Sequence, residues 1–277
     1  MHGVSEMWNS VAPGWEANAE FVDHHLHAAT EALLDAAGIA VGDDVLDLGS
    51  GPGGAGLAAA TRVGPSGTVV LSDVAAEMIE VATRRAGASP NVSTAVFDQS
   101  EIPGPEERFD AVISRHGLMF ADDPVTAVAQ AVRVLRPGGR YAAMTWGPRS
   151  ENPWLGATLD AVGEQFGVPF PPPNVRGPFS LDDSALLKSA LEAGGLEAVR
   201  VERIDAAMRV PSVDAWWERI PKLAGPLAIA LQGMEPDVRD AIAQRARGAA
   251  AELAERDGDQ VVLAGSVLIG AGRKPAS

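Results

Sequence analysis

A chain of 277 residues, 46% hydrophobic and 21% charged, can bury one substantial core, or a core with a cap, and is not compositionally disordered. Thirty-seven acids against 22 Lys and Arg give a net charge of −15, which excludes the basic footprint of a nucleic-acid binder or of a protein held to an anionic membrane. With no Cys, disulfides, thiolate metal sites and cysteine nucleophiles are excluded as well. There is no basic-then-apolar leader pattern and no run of about 18 apolar residues, so a cytoplasmic location is expected.

In chain order, residues 16–38 read as a helix, with Phe21, Leu26, Leu33 and Leu34 interleaved among polar positions and Gly38 closing the run. Val45-Leu46-Asp47-Leu48 is an apolar run carrying one acid, and the glycine cluster from Gly49 to Gly54 breaks it into a helix over 55–62. Strands are expected over 68–72, 91–97, 109–114 and 140–146. Helices over 75–85, and from Asp123 with Pro124 in its first turn to about Leu135, separate them. This alternation means βα units, hence a parallel sheet with helices on both faces. Beyond Trp146 the rhythm changes. Residues 148–179 are rich in Pro and Gly, Ser180 is the expected cap of a helix to about Ala193, and 196–204 is a sixth strand. Two or three helices over 212–257 and a last apolar strand over 260–272 complete the chain. The domain reading is an N-terminal helical lid over 1–40 and a core over 41–147. Cap insertions over 148–258 are interleaved with core elements over 180–204, and the last core strand lies within 259–272.

Asp47, Asp73 and Asp98 fall at the C-terminal ends of the first three strands, where open α/β sheets bind ligands. Glycines let backbone N–H groups approach a ligand closely, and a neighbouring acid suits one with a cationic head. Taken alone, the loop leaves open a tight strand-to-helix turn, the Gly-x-Gly-x-x-Gly dinucleotide fingerprint met by Gly49, Gly51 and Gly54, or another nucleotide-type site. Each acid, taken singly, also reads as a helix cap or a solvated loop acid.

The acid, one residue, then Gly-x-Gly resembles motif I of the class I S-adenosylmethionine (SAM)-dependent methyltransferases. The resemblance extends across about residues 40–146. Phe109-Asp110-Ala111-Val112-Ile113-Ser114 and Arg133-Val134-Leu135-Arg136-Pro137-Gly138-Gly139 are similar to later segments of that family. Residues 8–15, together with Ser114-Arg115-His116-Gly117-Leu118-Met119-Phe120, resemble the entry segment and post-strand loop of the ubiquinone/menaquinone-biosynthesis type and related small-molecule methyltransferases. The resemblance implies a Rossmann-like, seven-stranded, mostly parallel doubly wound α/β sheet, a helical cap over its cofactor end, and SAM as cofactor. It implies that Asp73 holds the ribose hydroxyls, Asp98 the adenine amino group, and Asp47 the region of the methionyl end. Gly49, Ser50, Gly51, Val74, Met78, Gln99, Ser114 and Arg115 complete the expected cofactor set. Ala75 departs from the family's usual Ser, and Phe97 and Gln99 flank Asp98 where small residues are common.

His116, just past the fourth strand, is the expected catalytic base, since an ordinary imidazole pKa of about 6.5 suits proton removal. A packing or capping loop histidine is the other reading. In the cluster His24, His25 and His27, residues one or two apart do not share a helix face, and no Cys or obvious carboxylate partner completes a site, so no metal is expected. His24 is instead expected at the substrate pocket with Trp15, Met119, Trp146, Trp154, Phe170 and Trp216, an apolar wall for an aromatic, quinone- or polyketide-like molecule. The bulky apolars of the cap fit equally as cap core. The expected activity is methyl transfer to oxygen or carbon of a small, largely apolar molecule, as in natural-product biosynthesis. Its rivals are a SAM-binding protein that catalyses another reaction or regulates a partner, and an NAD-dependent oxidoreductase. A small-molecule substrate is the expected partner, with no nucleic acid and no membrane, and a homodimer is allowed for.

Overall fold

The computed structural model describes residues 2–172 and 175–276. Helices α1 (His2–His25) and α2 (His27–Ala36) precede the repeat β1 (Asp44–Leu48), α3 (Gly54–Val63), β2 (Thr68–Asp73), α4 (Ala76–Ala86), β3 (Val92–Val96), β4 (Phe109–Arg115), α5 (Pro124–Val134) and β5 (Leu135–Trp146). Then come α6 (Pro153–Phe166), α7 (Ser184–Ala193), β6 (Glu197–Asp205), β7 (Met208–Val210), α8 (Val213–Leu223), α9 (Gly225–Gln232) and α10 (Pro236–Leu253). Strands β8 (Glu255–Asp257), β9 (Gln260–Leu263) and β10 (Ser266–Arg273) follow.

Seven strands make one sheet in the order β3-β2-β1-β4-β5-β10-β6, all parallel except β10, which runs antiparallel to both β5 and β6. In β1, Val45 packs into the layer of α2 and α3 while Leu46 and Leu48 pack into the layer of α5 and α7. Burial on both faces is why this strand reads as an apolar run rather than as an alternation. The order reverses between β1 and β4, which opens a crevice beyond their C-terminal ends. Helix α2 closes one face of the sheet through Leu33 and Leu34, both fully buried, each stabilising the docking by about 1.5–3 kcal/mol.

The amino-terminal half follows the expected order, with differences at its edges. Residues 8–15 lie inside α1, an unbroken helix, and β5 begins at Leu135 rather than at Arg140. The carboxy-terminal half differs more. The Pro- and Gly-rich stretch contains α6, with Pro153 in its first turn, where proline is tolerated. Helix α7 is capped by Asp183, which accepts from Ala185 N at 2.8 Å and Leu186 N at 3.0 Å. Ser180 Oγ instead accepts from Gly177 N at 2.8 Å and closes the turn before it. The expected last strand is two strands. β9 joins β7 and β8 in a separate three-stranded sheet, and β10 returns to the main one. Between them Gly265 lies against Ala206, where a Cβ would come within 2.5 Å of the Ala206 carbonyl oxygen.

Candidate functional site

Immediately after β1 the chain turns through Gly49 and Gly51, whose φ angles of 65° and 53° lie in the left-handed region that glycine enters freely. Ser50 N donates to Ser72 O at 2.8 Å, and Gly51 N to Asp73 Oδ2 at 2.9 Å. The other carboxylate oxygen of Asp73 accepts from Ala75 N at 2.9 Å, so this side chain clamps the end of β2 to the glycine loop. Burial holds the Asp73 carboxyl above the usual carboxylate range, against the pull of those two donors. A Cβ at Gly51 would meet nothing within 4 Å, so the loop is bare on that side.

A cavity of about 290 Å³ runs from this loop to the cap helices. Gly49, Ser50, Gly51, Asp73, Val74, Met78, Asp98, Gln99 and Arg115, all expected at the cofactor, line it. Asp98 Oδ1 accepts from Ser100 N at 2.8 Å and from the Ser100 hydroxyl. Gln99 Nε2 donates to Gly117 O at 3.1 Å, and its Oε1 and the Ser50 hydroxyl are buried without a partner.

Asp47 and Ser114 do not line the cavity, contrary to expectation. Side chains alternate across a strand, so Asp47 lies on the same face as Val45, beneath α3, its Oδ2 2.9 Å from the place a Gly56 Cβ would occupy. Its two oxygens have no hydrogen-bond partner, and burial pushes its pKa up to about 7 while the Arg115 charge opposes the rise. Ser114 is fully buried and donates its hydroxyl to Leu48 O at 2.9 Å, tying β4 to β1.

Arg115 carries much of the local order. Its Nη1 donates to Thr30 Oγ1 at 3.1 Å and its Nη2 to Asp23 Oδ1 at 3.0 Å. The other Asp23 oxygen accepts from Arg85 Nη2 at 2.6 Å, and Arg85 Nη1 donates to Pro52 O at 2.7 Å. Asp23 therefore fastens α1 to the end of β4 and, through Arg85, to the glycine loop.

His116 sits next along the chain at φ 60°, an uncommon conformation for a non-glycine residue. Its backbone N donates to Met144 O at 2.9 Å, and its ring stacks on Trp146 with centroids 4.3 Å apart and planes 23° from parallel. Both ring nitrogens are buried without a partner. Burial, and then the charges of Arg115 and His25, push its pKa down to about 3. His25 is pushed down to about 4 by burial, then by His24 and Arg115. Both imidazoles are therefore neutral at ordinary pH. A titration followed by ring ¹⁵N resonances should show neither taking up a proton between about pH 8 and pH 5. A His116 midpoint above about pH 6 would contradict this electrostatic picture.

At the cap end, Trp15, Met119, Trp146 and Trp154 line the cavity as expected. His24, Phe170 and Trp216 do not. Along α1 the cavity-facing positions Trp8, Trp15 and Val22 recur every seven residues, and Phe21 and His25 share that face. His24 is one residue out of phase and exposed. Trp216 is fully buried inside the cap, and Phe170 packs against the same cap cluster, so both support the wall rather than form it. Among the lining residues not expected from the sequence are His25, Phe97, Leu155, Ile220 and Leu227. The seven-residue spacing in α1 is a signal that points to His25. Nothing local marks the inward side of α6, α8 or α9.

The model of a family described as "Methyltransferase domain" matches residues 45–139, which span the glycine loop and the turn into β5. The ubiquinone/menaquinone biosynthesis C-methyltransferase UbiE of Ectopseudomonas mendocina is 26% identical over 239 residues, covering 84% of this chain and 89% of the relative. Among solved structures, the [4+2]-cyclase SpnF superposes with a TM-score of 0.61 at 19% identity, covering 99% of this chain and 96% of that one. Phosphoethanolamine N-methyltransferase 2 of Haemonchus contortus, solved with S-adenosylhomocysteine, gives 0.55 at 19% identity, covering 90% of this chain and 52% of that one. These structural likenesses are likenesses of fold.

Proposed function

We propose that the chain is a class I SAM-dependent methyltransferase that methylates oxygen or carbon of a small, largely apolar molecule held beneath the cap. The residues at the loop end suit SAM. The Ser50 hydroxyl and Gln99 Oε1 are unpaired, the loop is bare at Gly51, and each Asp73 oxygen accepts one backbone N–H, which leaves lone pairs for a diol. In this reading Asp73 holds the ribose hydroxyls and Asp98 the adenine amino group, while Val74, Met78 and Phe97 border the base. Gly49 and Gly51 lie along the methionyl portion. Asp47, beneath the loop, makes no contact with the ligand in this reading.

When bound, SAM supplies an electrophilic methyl group and a neutral thioether leaving group. His116, neutral and unpaired, accepts a hydrogen bond from the acceptor's hydroxyl. An acceptor oxygen, or a carbon conjugated with it, held in the apolar chamber would face that methyl group, and His116 is placed to take the hydroxyl proton. Loss of the donor's positive charge would offset the cost of charging His116 beside Arg115.

The observation that carries this reading is that the loop crevice and the apolar chamber are one cavity, walled at its far end by Trp15, Trp146, Trp154, Met208 and Ile220. A donor and an acceptor bound there would be neighbours. That the named relative is a C-methyltransferase of quinone biosynthesis supports the same class of acceptor. Incubation with trideuteromethyl-SAM and a panel of apolar hydroxylated aromatics should place the label on oxygen or ring carbon of some members. Label appearing only on amine substrates, or turnover of acceptors without methylation, would overturn the proposal.

A further inference from the structure

Three imidazole nitrogens in this cavity lack partners: both of His116 and Nε2 of His25. They belong to different parts of the fold, His116 to the turn after β4 and His25 to the last turn of α1. Both rings are fixed by stacking, His116 on Trp146 and His25 on Phe21 with centroids 6.1 Å apart and planes 17° from parallel. Positive charge on His25 would disfavour protonation of His116. Two residues before His25, Asp23 is bonded to Arg115, the chain neighbour of His116. One ion pair thus holds the two histidine-bearing segments side by side. Buried polar atoms without partners are costly, about 1–3 kcal/mol each, and are uncommon unless something completes them.

We infer that His25 is a second substrate-contacting residue, and that with His116 it forms a two-imidazole subsite for one protic oxygen of the methyl acceptor. The inference rests on the methyl-transfer reading of the site and adds to it a residue from the N-terminal helix. A neutral imidazole offers one donor and one acceptor. The pair can therefore accept the hydroxyl's hydrogen bond at one ring and donate to the same oxygen from the other. An ether oxygen satisfies only the donor and leaves an acceptor unpaired. The subsite therefore selects hydroxyl over ether, and so substrate over O-methylated product. Asp23 is a positioning residue in this arrangement: it touches no substrate and acts by holding α1 in place.

Calorimetry on the complex with S-adenosylhomocysteine tests this by comparing 2-naphthol with 2-methoxynaphthalene. The wild type should prefer the naphthol by about tenfold or more. His25→Phe retains the ring stack on Phe21 and should reduce the preference to about threefold or less. His25→Asn restores a donor and an acceptor and should recover part of it. S-adenosylhomocysteine affinity should stay within about twofold in both variants, which separates a lost subsite from a lost fold. A full preference in His25→Phe overturns the inference, as does absent naphthol binding or absent preference in the wild type. Loss of the preference in His116→Phe but not in His25→Phe overturns it while leaving His116 as the base. Failure of the wild type to bind S-adenosylhomocysteine at all would sink the donor reading, and this inference with it.

Discussion

Replacing Asp73 with alanine should weaken binding of S-adenosylhomocysteine by about a hundredfold or more. In the ligand-bound protein the carboxylate is proposed to accept two hydrogen bonds from the ribose diol, and hydrogen bonds to a charged group contribute about 1.5–3 kcal/mol each. The side chain does more than meet the ligand. It also receives the backbone N–H of Gly51 and of Ala75, so alanine leaves both donors unanswered and releases the loop from β2. Asp73→Asn should fall between wild type and alanine, because one amide oxygen remains to accept while the NH₂ faces donors. The affinity of the wild type should also fall on acidification, since a carboxyl held above its usual pKa becomes protonated earlier and then accepts the diol less well. Calorimetry decides. An alanine variant that stays folded by circular dichroism and binds within about threefold of wild type would remove Asp73 from the cofactor site.

The amino-terminal half was legible because its local signals and its tertiary environment agree. Strands buried on both faces must be apolar throughout, so an acid near the end of such a run stands out, as Asp47 and Asp73 do, whereas Asp98 follows the half-exposed edge strand β3. What those runs do not reveal is direction. Asp47 and Ser114 lie at strand ends beside the crevice, yet the alternation of side chains sends one beneath α3 and ties the other to Leu48 O. A strand end is a location, and the two-residue period decides whether it becomes a contact. The cap was less legible for a related reason. Trp154 and Trp216 are both bulky, buried and helical, and only the packing of α6, α8 and α10 decides which faces ligand and which faces cap core. At the carboxy terminus an apolar stretch conceals a change of sheet, because the two-residue link of Ala264 and Gly265 redirects the chain without breaking the hydrophobic pattern. The histidines at 24 and 25 differ by one step of a helix, and counting from Trp8 and Trp15 selects the right one.

Arg115→Met should cost about 3 kcal/mol of stability near neutral pH, a fall of about 5–10 °C in Tm. The guanidinium is only 7% exposed and bonded to Asp23 and Thr30, so its removal leaves Asp23 with Arg85 alone and cuts the link between α1 and β4. Methionine roughly conserves volume, which limits the loss to the polar interactions. The deficit should also grow with pH, and the sign follows from three titratable neighbours, Asp47, His116 and His25. Asp47 titrates near pH 7 in the folded protein, above its unfolded value, so its ionisation destabilises the fold as pH rises. Without the opposing charge of Arg115 its pKa moves higher still, and the penalty continues to build beyond neutrality. His116 and His25 have folded pKa values below the unfolded one, so they destabilise the fold as pH falls from about 6.5. Removing Arg115 lets both rise toward that value and relieves the acid-side penalty. Both effects make the variant relatively better at low pH and relatively worse at high pH. Thermal melts of wild type and variant at about pH 5, 6.5 and 8 should show the gap in Tm widening steadily. A gap that is constant or narrows would mean that Arg115 does not set the charge balance around Asp47 and the two histidines. A gap below about 2 °C at every pH would mean that α1 is held chiefly by its apolar contacts with α4, α8 and α9.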